Sequence, residues 1–336
     1  MNKVLISPAP MRALDRIWGP PLRAAGLEPV LPQMARQMTE AELRIQLQGC
    51  AASLAGSEPY TRAVLTEAAA NGLKILARAG VGYDAVNVAA ATELGIVVGY
   101  APGSNHEAVA EQTLLLMLAQ AKNLLPQHAA TRAGQWPRRA MLPVRGATLG
   151  IVGLGRVGKA VATRARSFDI TVIATEPVPD LDFIARHGIE LVTLEELLRA
   201  SDWVTLHTPL TSETRLMING ATLAQMKPTA FLINTSRGEV VNEVDLAMAL
   251  KAGQIAGAAL DVFEHEPLKA DHPLTNFETV IFTAHTAGVD RVSQENMVRF
   301  AAECIADYLS GRWPGERVVN PEVLDFRTLE ASLRSQ

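Results

Sequence analysis

The sequence contains few cysteines and has a small net charge. Its 336 residues include two cysteines, Cys50 and Cys304, which have no metal-ligand spacing and could form only one disulfide. This cysteine content excludes a disulfide-rich scaffold and favours a reducing, cytoplasmic location. The formal net charge is −4 with acidic and basic residues interspersed, so there is no basic field for nucleic acid or an anionic membrane. We therefore expect neither of these as a partner.

Long hydrophobic runs are also absent. The longest, TLLLMLAQA from Thr113, is bracketed by Glu111 and Lys122 and is far too short to span a bilayer, so it predicts a buried helix. The stretch MNKVLISPAP has too short an apolar run for a signal peptide and predicts a first strand. Because 336 residues exceed one ordinary core, two domains are expected.

Short apolar runs alternate with Ala/Leu-rich helical patterns, which is typical of βαβ units. The runs are apolar on both faces, as in strands that helices cover on two sides. We therefore predict an α/β protein with two doubly wound parallel sheets, Rossmann-like or flavodoxin-like, and a cleft between the two domains. The predicted strands are KVLI (3–6), KILARA (74–79), IVVGY (96–100), TLGIVGL (148–154), TVIAT (171–175), WVTLH (203–207), AFLINTS (230–236), GAALDVF (257–263) and VIFTA (280–284).

A glycine fingerprint lies in the middle of the chain. TLGIVGLGRVGKAVA places Gly153, Gly155 and Gly158 in a G-x-G-x-x-G pattern directly after a predicted strand and at the start of a helix. In a dinucleotide site these glycines allow a tight turn, close approach of a pyrophosphate and close helix–strand packing. Glycine-rich turns are common, so a structural turn without a ligand is the alternative.

The next strand, TVIAT, ends at Glu176, which lies 18 residues beyond Gly158. A carboxylate there accepts hydrogen bonds from ribose hydroxyls and repels a 2′-phosphate. The sequence therefore favours NAD(H) over NADP(H). With domain boundaries near GYAPGSN (99–105) and AGVDRVSQ (287–294), we predict an NAD-binding Rossmann domain of residues 102–288. Residues 1–101 and 289–336 then form a discontinuous substrate-binding domain, and a division into two linear halves is the alternative.

Three further stretches place polar residues after predicted strands: Arg237, the group from Asp261 to Glu266, and His285. Loops at the carboxyl ends of parallel strands converge on the ligand crevice, so all three could face one nicotinamide. The alternatives are a surface ion-pair arginine, a solvated turn and a satisfied, half-buried histidine. His265 and His272 lack a tetrahedral ligand set, and we expect no metal site.

Many ordered blocks of the chain, from about residue 50 to residue 323, resemble the D-isomer-specific 2-hydroxyacid dehydrogenases. This is the family of phosphoglycerate dehydrogenase and glyoxylate/hydroxypyruvate reductase. The blocks are LKILARAGVGYDAVNVAAATELGIVV, APGSNHEAVAEQTLLLML, RAGQW, LGIVGLGRVGKAVA, LHTPLTSETRLMING, LINTSRGEVVNE, GAALDVFEHEPL and AHTAGV.

The resemblance implies residue roles by position. The catalytic residues would be Arg237, Glu266 and His285. The substrate would contact Arg78, Val81 and Gly82 in addition to Arg237 and His285. The cofactor, NAD, would be bound by Gly153, Gly155, Arg156, Val157, Gly158, Glu176, His207, Thr208, Pro209, Thr235 and Asp261, the last at the nicotinamide carboxamide.

The implied chemistry is the interconversion of a 2-hydroxy acid and its 2-keto acid. Reduction needs a hydride at the carbonyl carbon and a proton at the developing alkoxide, which an imidazolium at His285 can donate. Glu266 would fix the tautomer of the ring, and Arg237 would bind the carboxylate and carbonyl oxygens. Ala284 stands where family members often carry proline, which makes the His285 loop less constrained.

Glu58 lies where phosphoglycerate-using relatives tend to place basic residues, and Arg62 could offset its charge. A carboxylate repels a phosphate group. We therefore expect a small unphosphorylated acid such as glyoxylate or hydroxypyruvate. D-3-phosphoglycerate dehydrogenase, phosphite dehydrogenase and a non-catalytic NAD-sensing scaffold stay open as alternatives. The resemblance also implies a homodimer through the nucleotide-binding domain. Residues 107–121 and RAGQW are candidate contact elements, and the alternative is that each belongs to the core of a single chain.

Overall fold

The computed structural model describes residues 2–324. The chain divides into two compact units. Unit 1 comprises the residues up to Asn105 together with those from Val289 onward, and unit 2 runs from His106 to Gly288. These divisions lie four residues after the predicted boundary at 101/102 and at the predicted boundary 288/289.

Within residues 2–324, twelve strands alternate with twelve α-helices. The strands are β1 Asn2–Ile6, β2 Leu27–Val30, β3 Cys50–Ala55, β4 Ile75–Arg78, β5 Val97–Gly99, β6 Thr148–Val152, β7 Thr171–Thr175, β8 Glu190–Leu191, β9 Trp203–Leu206, β10 Phe231–Asn234, β11 Gly257–Leu260 and β12 Val280–Phe282. The helices are α1 Asp15–Ala24, α2 Glu40–Gln46, α3 Arg62–Ala70, α4 Val88–Glu93, α5 His106–Ala121, α6 Leu124–Arg132, α7 Arg156–Ala165, α8 Leu181–His187, α9 Leu194–Ala200, α10 Gly220–Leu223, α11 Glu243–Lys251 and α12 Arg291–Leu309.

Unit 1 is built on a five-stranded parallel sheet of order β2-β1-β3-β4-β5. Successive residues of a strand point to opposite faces, so Val4 and Ile6 enter one core cluster while Leu5 enters the other. The first cluster includes residues of α1 and α12, and the second includes residues of α2, α3 and α4. Residues from both ends of the described chain therefore complete this unit. Both free cysteines, Cys50 and Cys304, are buried in it.

Unit 2 is built on a seven-stranded parallel sheet of order β12-β11-β10-β9-β6-β7-β8. In the interior strand β6, Ile151 packs into a cluster with α5 and α7, whereas Val152 packs into a cluster with α9 and α11. Helices thus cover both faces, and the chain has the predicted α/β class with two doubly wound parallel sheets. The predicted buried helix is α5, which carries nine buried side chains.

Side-chain caps define where several helices begin. Thr39 and Thr193 each form a capping box with the glutamate three residues on, Glu42 and Glu196. Asn242 accepts hydrogen bonds from the amides of Val244 and Asp245 and starts α11. These caps satisfy amides that a helix leaves without partners, and they fix the first turn of each helix.

All nine predicted strands are present, but three observed strands had no counterpart in the prediction. They are β2, β3 and β8. Among residues 2–324, no helix combines the length and apolar character needed to cross a membrane.

Candidate active site

The loops after six strands of unit 2 carry the predicted site residues. Because the seven strands are parallel, their carboxyl ends lie along one edge of the sheet. Following β6, β7, β9, β10, β11 and β12, this edge carries Gly153, Glu176, His207, Thr235, Asp261 and, three residues past its strand, His285. The topology therefore brings together residues that lie up to 132 positions apart in the sequence.

The three fingerprint glycines differ in what surrounds them. Gly153 has a left-handed backbone (φ 94°), and a Cβ there would lie 2.7 Å from the carbonyl oxygen of His207. A Cβ on Gly158 would lie 2.1 Å from the carbonyl oxygen of Gly153. A Cβ on Gly155 would meet nothing within 4 Å. Packing thus requires glycine at 153 and 158, while Gly155 leaves open space at the start of α7.

The start of α7 suits an anion. Gly155 occupies the N-cap position and offers no side chain to the first amides of the helix. Amides at a helix N-terminus, together with the helix dipole, favour negatively charged groups such as a pyrophosphate. Arg156 is exposed beside them, whereas the side chain of Val157 packs against the core, so only its backbone is available to a ligand.

Glu176 is fixed beside the glycine loop. Its Oε2 accepts the backbone N–H of Leu154 at 2.7 Å, and its Oε1 accepts that of Val178 at 3.2 Å. Each oxygen keeps a lone pair for a ribose hydroxyl. This position matches the one expected for the acidic residue of an NAD site.

His207 and Thr208 each hold a polar atom that lacks a partner among the residues that the structure describes. His207 Nδ1 and Thr208 Oγ1 are both buried without a hydrogen bond. Nε2 of His207 lies 3.0 Å from Thr205 Oγ1, and Pro209, which follows, is exposed. Buried polar atoms in native proteins are normally paired, so these two atoms fit a ligand that supplies the partners. The residues present are therefore compatible with a bound dinucleotide.

Burial lowers the pKa of His207 to about 3 from an ordinary value of 6.5, so the ring is neutral at neutral pH. Below pH 6.5 the unfolded chain takes up a proton that the folded chain does not, and the free energy of unfolding decreases as pH falls towards 3. Between pH 7 and pH 5 this contribution is about 2 kcal/mol.

We therefore expect His207→Gln to lose about 2 kcal/mol less stability than the wild type between pH 7 and pH 5. Urea unfolding of the cofactor-free proteins at both pH values measures the difference. The control is His128→Gln, at an exposed histidine of the same unit. An equal loss in wild type and His207→Gln would show that His207 does not cause the acid sensitivity.

The predicted catalytic histidine and glutamate form a pair. His285 Nδ1 lies 2.7 Å from Glu266 Oε2, and the backbone N–H of Phe263 donates to Glu266 Oε1 at 3.0 Å. Burial by itself raises the pKa of Glu266, but the hydrogen bond and charge of His285, the Phe263 amide and the charge of Arg237 hold it below its ordinary value. The His285 side chain is 52% exposed, so its outer nitrogen is accessible to a ligand.

Arg237 follows β10 and is half-buried. Its Nη1 donates to the carbonyl oxygen of Ser236 at 2.7 Å, and its own carbonyl oxygen accepts from Asn234 Nδ2 at 2.8 Å. Its charge acts on Glu266, which places the three predicted catalytic residues in one electrostatic neighbourhood. Thr235, one position earlier, is buried, with its Oγ1 3.1 Å from Thr113 Oγ1 of α5.

Asp261 organises the loop that carries His285. Its carbonyl oxygen accepts the N–H of His285 at 2.7 Å. Its buried carboxylate accepts the amides of Thr286 and Ala287 at 3.0 and 2.9 Å and the hydroxyl of Thr283 at 2.5 Å. These bonds hold His285 in a left-handed backbone conformation with φ 52°. Sequence reasoning assigned Asp261 to the nicotinamide carboxamide and did not anticipate this role.

Gly238 brings two loops into contact. One follows β10 and carries Arg237 (the arginine loop), and the other follows β11 and carries Glu266 (the glutamate loop). A Cβ at Gly238 would lie 1.9 Å from the carbonyl carbon of Phe263 and 2.4 Å from the amide nitrogen of Glu264. The two backbones thus touch where Gly238 has no side chain. Gly238 was not predicted from the sequence, because a glycine outside a turn pattern gives no signal of such a contact.

The predicted substrate residues Arg78, Val81 and Gly82 belong to unit 1. Arg78 ends β4, and its Nε donates to the carbonyl oxygen of Gly82 at 2.9 Å, while Nη1 lies 3.4 Å from the carbonyl oxygen of Ala55. Arg78 thus braces the loop, in which Val81 is exposed. Their assignment to the substrate stays a prediction.

The expectation that Glu58 faces the substrate is corrected by the structure. Glu58 is only 1% exposed, and its Oε2 accepts hydrogen bonds from Ser7 Oγ at 2.5 Å and the Gly56 amide at 2.8 Å. Arg62 pairs with Glu93 at 2.6 Å on the surface. Because its oxygens are buried and bonded, Glu58 gives no direct argument against a phosphorylated substrate.

No group of three or more potential ligands that could hold a metal ion occurs among residues 2–324. His265 is exposed, and His272 pairs with Glu243 at 3.2 Å.

Comparison with known proteins agrees with this arrangement. Residues 114–287 match the family model described as D-isomer specific 2-hydroxyacid dehydrogenase, NAD binding domain. A glyoxylate reductase of Korarchaeum cryptofilum is 42% identical over 266 residues, 77% of this chain and 80% of that protein. A D-3-phosphoglycerate dehydrogenase of Archaeoglobus fulgidus is 36% identical over 312 residues, 92% of this chain and 58% of that protein.

Among solved structures, D-lactate dehydrogenase from Aquifex aeolicus complexed with NAD and lactic acid is similar with a TM-score of 0.81 and 25% identity. The match covers 92% of this chain and 96% of that one. The family match spans residues 114–287 and therefore lies within unit 2, where the glycine loop, Glu176 and the His285–Glu266 pair share one edge of the sheet. The chain belongs to the family of NAD-dependent D-isomer specific 2-hydroxyacid dehydrogenases.

Proposed function

We propose that this protein reduces a small 2-keto acid to its D-2-hydroxy acid, and catalyses the reverse reaction, with His285 as the general acid and base. The observation that carries the proposal is the His285–Glu266 pair at 2.7 Å, placed beside Arg237 at the edge of an NAD-binding sheet. A histidine held by a carboxylate on one nitrogen and accessible at the other is suited to deliver a proton.

The residues divide the work of the reaction. Bound NADH supplies the hydride to the carbonyl carbon. Arg237 is always charged, and its planar guanidinium binds carboxylate and carbonyl oxygens in a fork. Glu266 accepts the Nδ1–H of His285 and fixes the ring so that Nε2–H donates to the developing alkoxide. In the oxidation direction, Nε2 of His285 takes the proton from the substrate hydroxyl.

We propose an unphosphorylated acid of the glyoxylate or hydroxypyruvate type as the substrate. The support is the similarity to relatives named glyoxylate reductase, two of which are 42% identical to this chain. Relatives named D-3-phosphoglycerate dehydrogenase reach 41% identity, so 3-phosphoglycerate oxidation is the second candidate. The burial of Glu58 removes the argument that separated the two from sequence alone.

The assay follows NADH oxidation by purified protein with glyoxylate, hydroxypyruvate, pyruvate and phosphohydroxypyruvate, with NADPH in parallel. We expect turnover of the unphosphorylated acids with NADH and a lower kcat/KM for the phosphorylated one. Preference for phosphohydroxypyruvate would establish the second candidate. NADH binding without turnover of any acid would contradict the proposed reaction, and phosphite with NAD+ would then be tested.

The homodimer stays a prediction. It is supported by three exposed apolar side chains in one segment of unit 2, Leu124, Leu125 and Trp136, because exposed apolar groups are typical of protein–protein contacts.

A further inference from the structure

Glu243 is a buried carboxylate outside the predicted catalytic set. It is the first residue of α11 and is 6% exposed. Its Oε1 accepts the backbone N–H of Glu264 at 2.9 Å, and its Oε2 lies 3.2 Å from Nε2 of His272. Asn242 caps the same helix and fixes the turn from which Glu243 projects. A buried carboxylate needs such partners, and all of them come from elements next to the active site.

The hydrogen bond at Nδ1 of His272 indicates which ring nitrogen carries the hydrogen. Nδ1 of His272 accepts the backbone N–H of Leu274 at 3.4 Å, at the start of the 3-10 helix Pro273–Asn276. A neutral imidazole with Nδ1 as acceptor carries its hydrogen on Nε2, which faces Glu243. His272 therefore presents Nε2–H to Glu243 Oε2 at 3.2 Å, while Oε1 of the same carboxylate accepts the Glu264 amide.

Two consecutive amides of the glutamate loop are held by two different carboxylates. The Phe263 N–H binds the side chain of Glu266, and the Glu264 N–H binds Glu243. On its other side, the Phe263–Glu264 peptide lies against Gly238. The Phe263–Glu264 peptide is thus held between Glu243 and Gly238. Because Glu266 lies two residues further on, this peptide fixes the position of the Glu266 carboxylate.

We propose that Glu243, oriented by His272, is a positioning residue that holds Glu266 in the geometry required to orient His285. The inference rests on the proposed function. A small misplacement of a group that acts on the reacting atoms can cost about 100-fold in rate. The alternative is that Glu243 only stabilises the fold, as a negative charge in the first turn of a helix does.

The experiment compares Glu243→Gln and Glu243→Ala with a matched control, Asp245→Asn. Asp245 lies in the same helical turn and also accepts a backbone amide, that of Gly220 at 2.8 Å, but Gly220 begins α10 and is not part of the loop that carries Glu266. We expect both Glu243 variants to lower kcat by roughly 10- to 100-fold, with little change in the KM for NADH. The control keeps the kcat of the wild type.

The pH profile of kcat/KM supplies a readout that a structural role would not move. The charged and titratable groups around Glu243 are Glu264, His265 and His272. Because Glu266 Oε2 lies 2.7 Å from His285 Nδ1, loosening Glu266 changes the pH profile of kcat/KM for keto-acid reduction, whereas a change in stability alone lowers Tm at constant profile.

His272 gives a second, milder test. His272→Ala should reproduce the fall in kcat, and His272→Gln, which keeps a donor for Glu243, should recover part of it. If Glu243→Gln and His272→Ala lower Tm but keep the kcat and pH profile of the Asp245→Asn control, Glu243 has a structural role only. A wild-type protein that turns over no 2-keto acid would contradict the proposed function instead, since then no variant has a rate to lose.

Discussion

We expect His285→Asn to lower kcat for keto-acid reduction by about 10²- to 10⁴-fold, the range that a general acid contributes. Asparagine is chosen because His285 has φ 52°, and asparagine adopts this left-handed conformation more readily than most residues. The substitution is therefore expected to remove the proposed proton donor and to retain the loop conformation that Asp261 holds. The measurement is steady-state NADH oxidation with the best acid of the substrate panel.

NADH affinity and Tm are the controls for this variant. Because the glycine loop, Glu176 and the His207–Thr208 pair are left intact, NADH fluorescence titration should give an unchanged Kd. A kcat within about threefold of the wild type would exclude His285 as the proton donor. A threefold change corresponds to less free energy than a shift of about half a pKa unit.

Gly238→Ala is expected to be the most damaging single-methyl substitution in unit 2. The new Cβ would lie 1.9 Å from the Phe263 carbonyl carbon and 2.1 Å from its oxygen. These are backbone atoms, so no side-chain rotation relieves the overlap, and either the Arg237 loop or the Glu266 loop must move. We expect a loss of about 3 kcal/mol or more, at the upper end for overpacking, and a Tm lower by roughly 6–12 °C.

The catalytic effect of Gly238→Ala should exceed the stability effect. Displacement of Arg237 and Glu266 by about 1 Å lowers kcat by at least about 100-fold even where the protein is fully folded. Gly220→Ala is the matched control, because its Cβ would meet the Asp245 carboxylate at an ordinary 3.5 Å. Thermal unfolding and kcat are measured for both. A Gly238→Ala protein with wild-type kcat would contradict the close contact between the two loops.

Much of the fold follows from local sequence patterns, and the exceptions have physical causes. The strand CAASLA (β3) is central and fully buried. Its alanines and serine have low β propensity, so the local sequence is as compatible with a helix as with a strand. The strand LEPV (β2) contains a proline and lies at the sheet edge, and β8 has two residues. In each case tertiary packing, rather than local preference, determines the strand.

In the candidate site, too, some features follow from local sequence patterns and others depend on tertiary packing. Gly153, Glu176 and His285 were predictable because each lies within the last two residues of a predicted strand or directly after it, and the order of strands places their loops on one edge. The left-handed conformation of His285 and the bonds of Asp261 depend on residues that are distant in sequence. Glu243 and His272 are 29 positions apart in separate elements, and no periodicity relates them.

The construction of unit 1 from both ends of the chain has a consequence for biosynthesis. Its strands β1–β5 leave the ribosome first, but one face of that sheet packs against Met297, Val298 and Ile305 of α12. At about 5–20 residues per second, roughly 10–40 s separate the synthesis of β5 from that of α12. All of unit 2 is translated within this interval. The sheet of unit 1 therefore waits with this apolar face covered only in part, by α1, whereas unit 2 can complete its core as soon as its last strand leaves the exit tunnel.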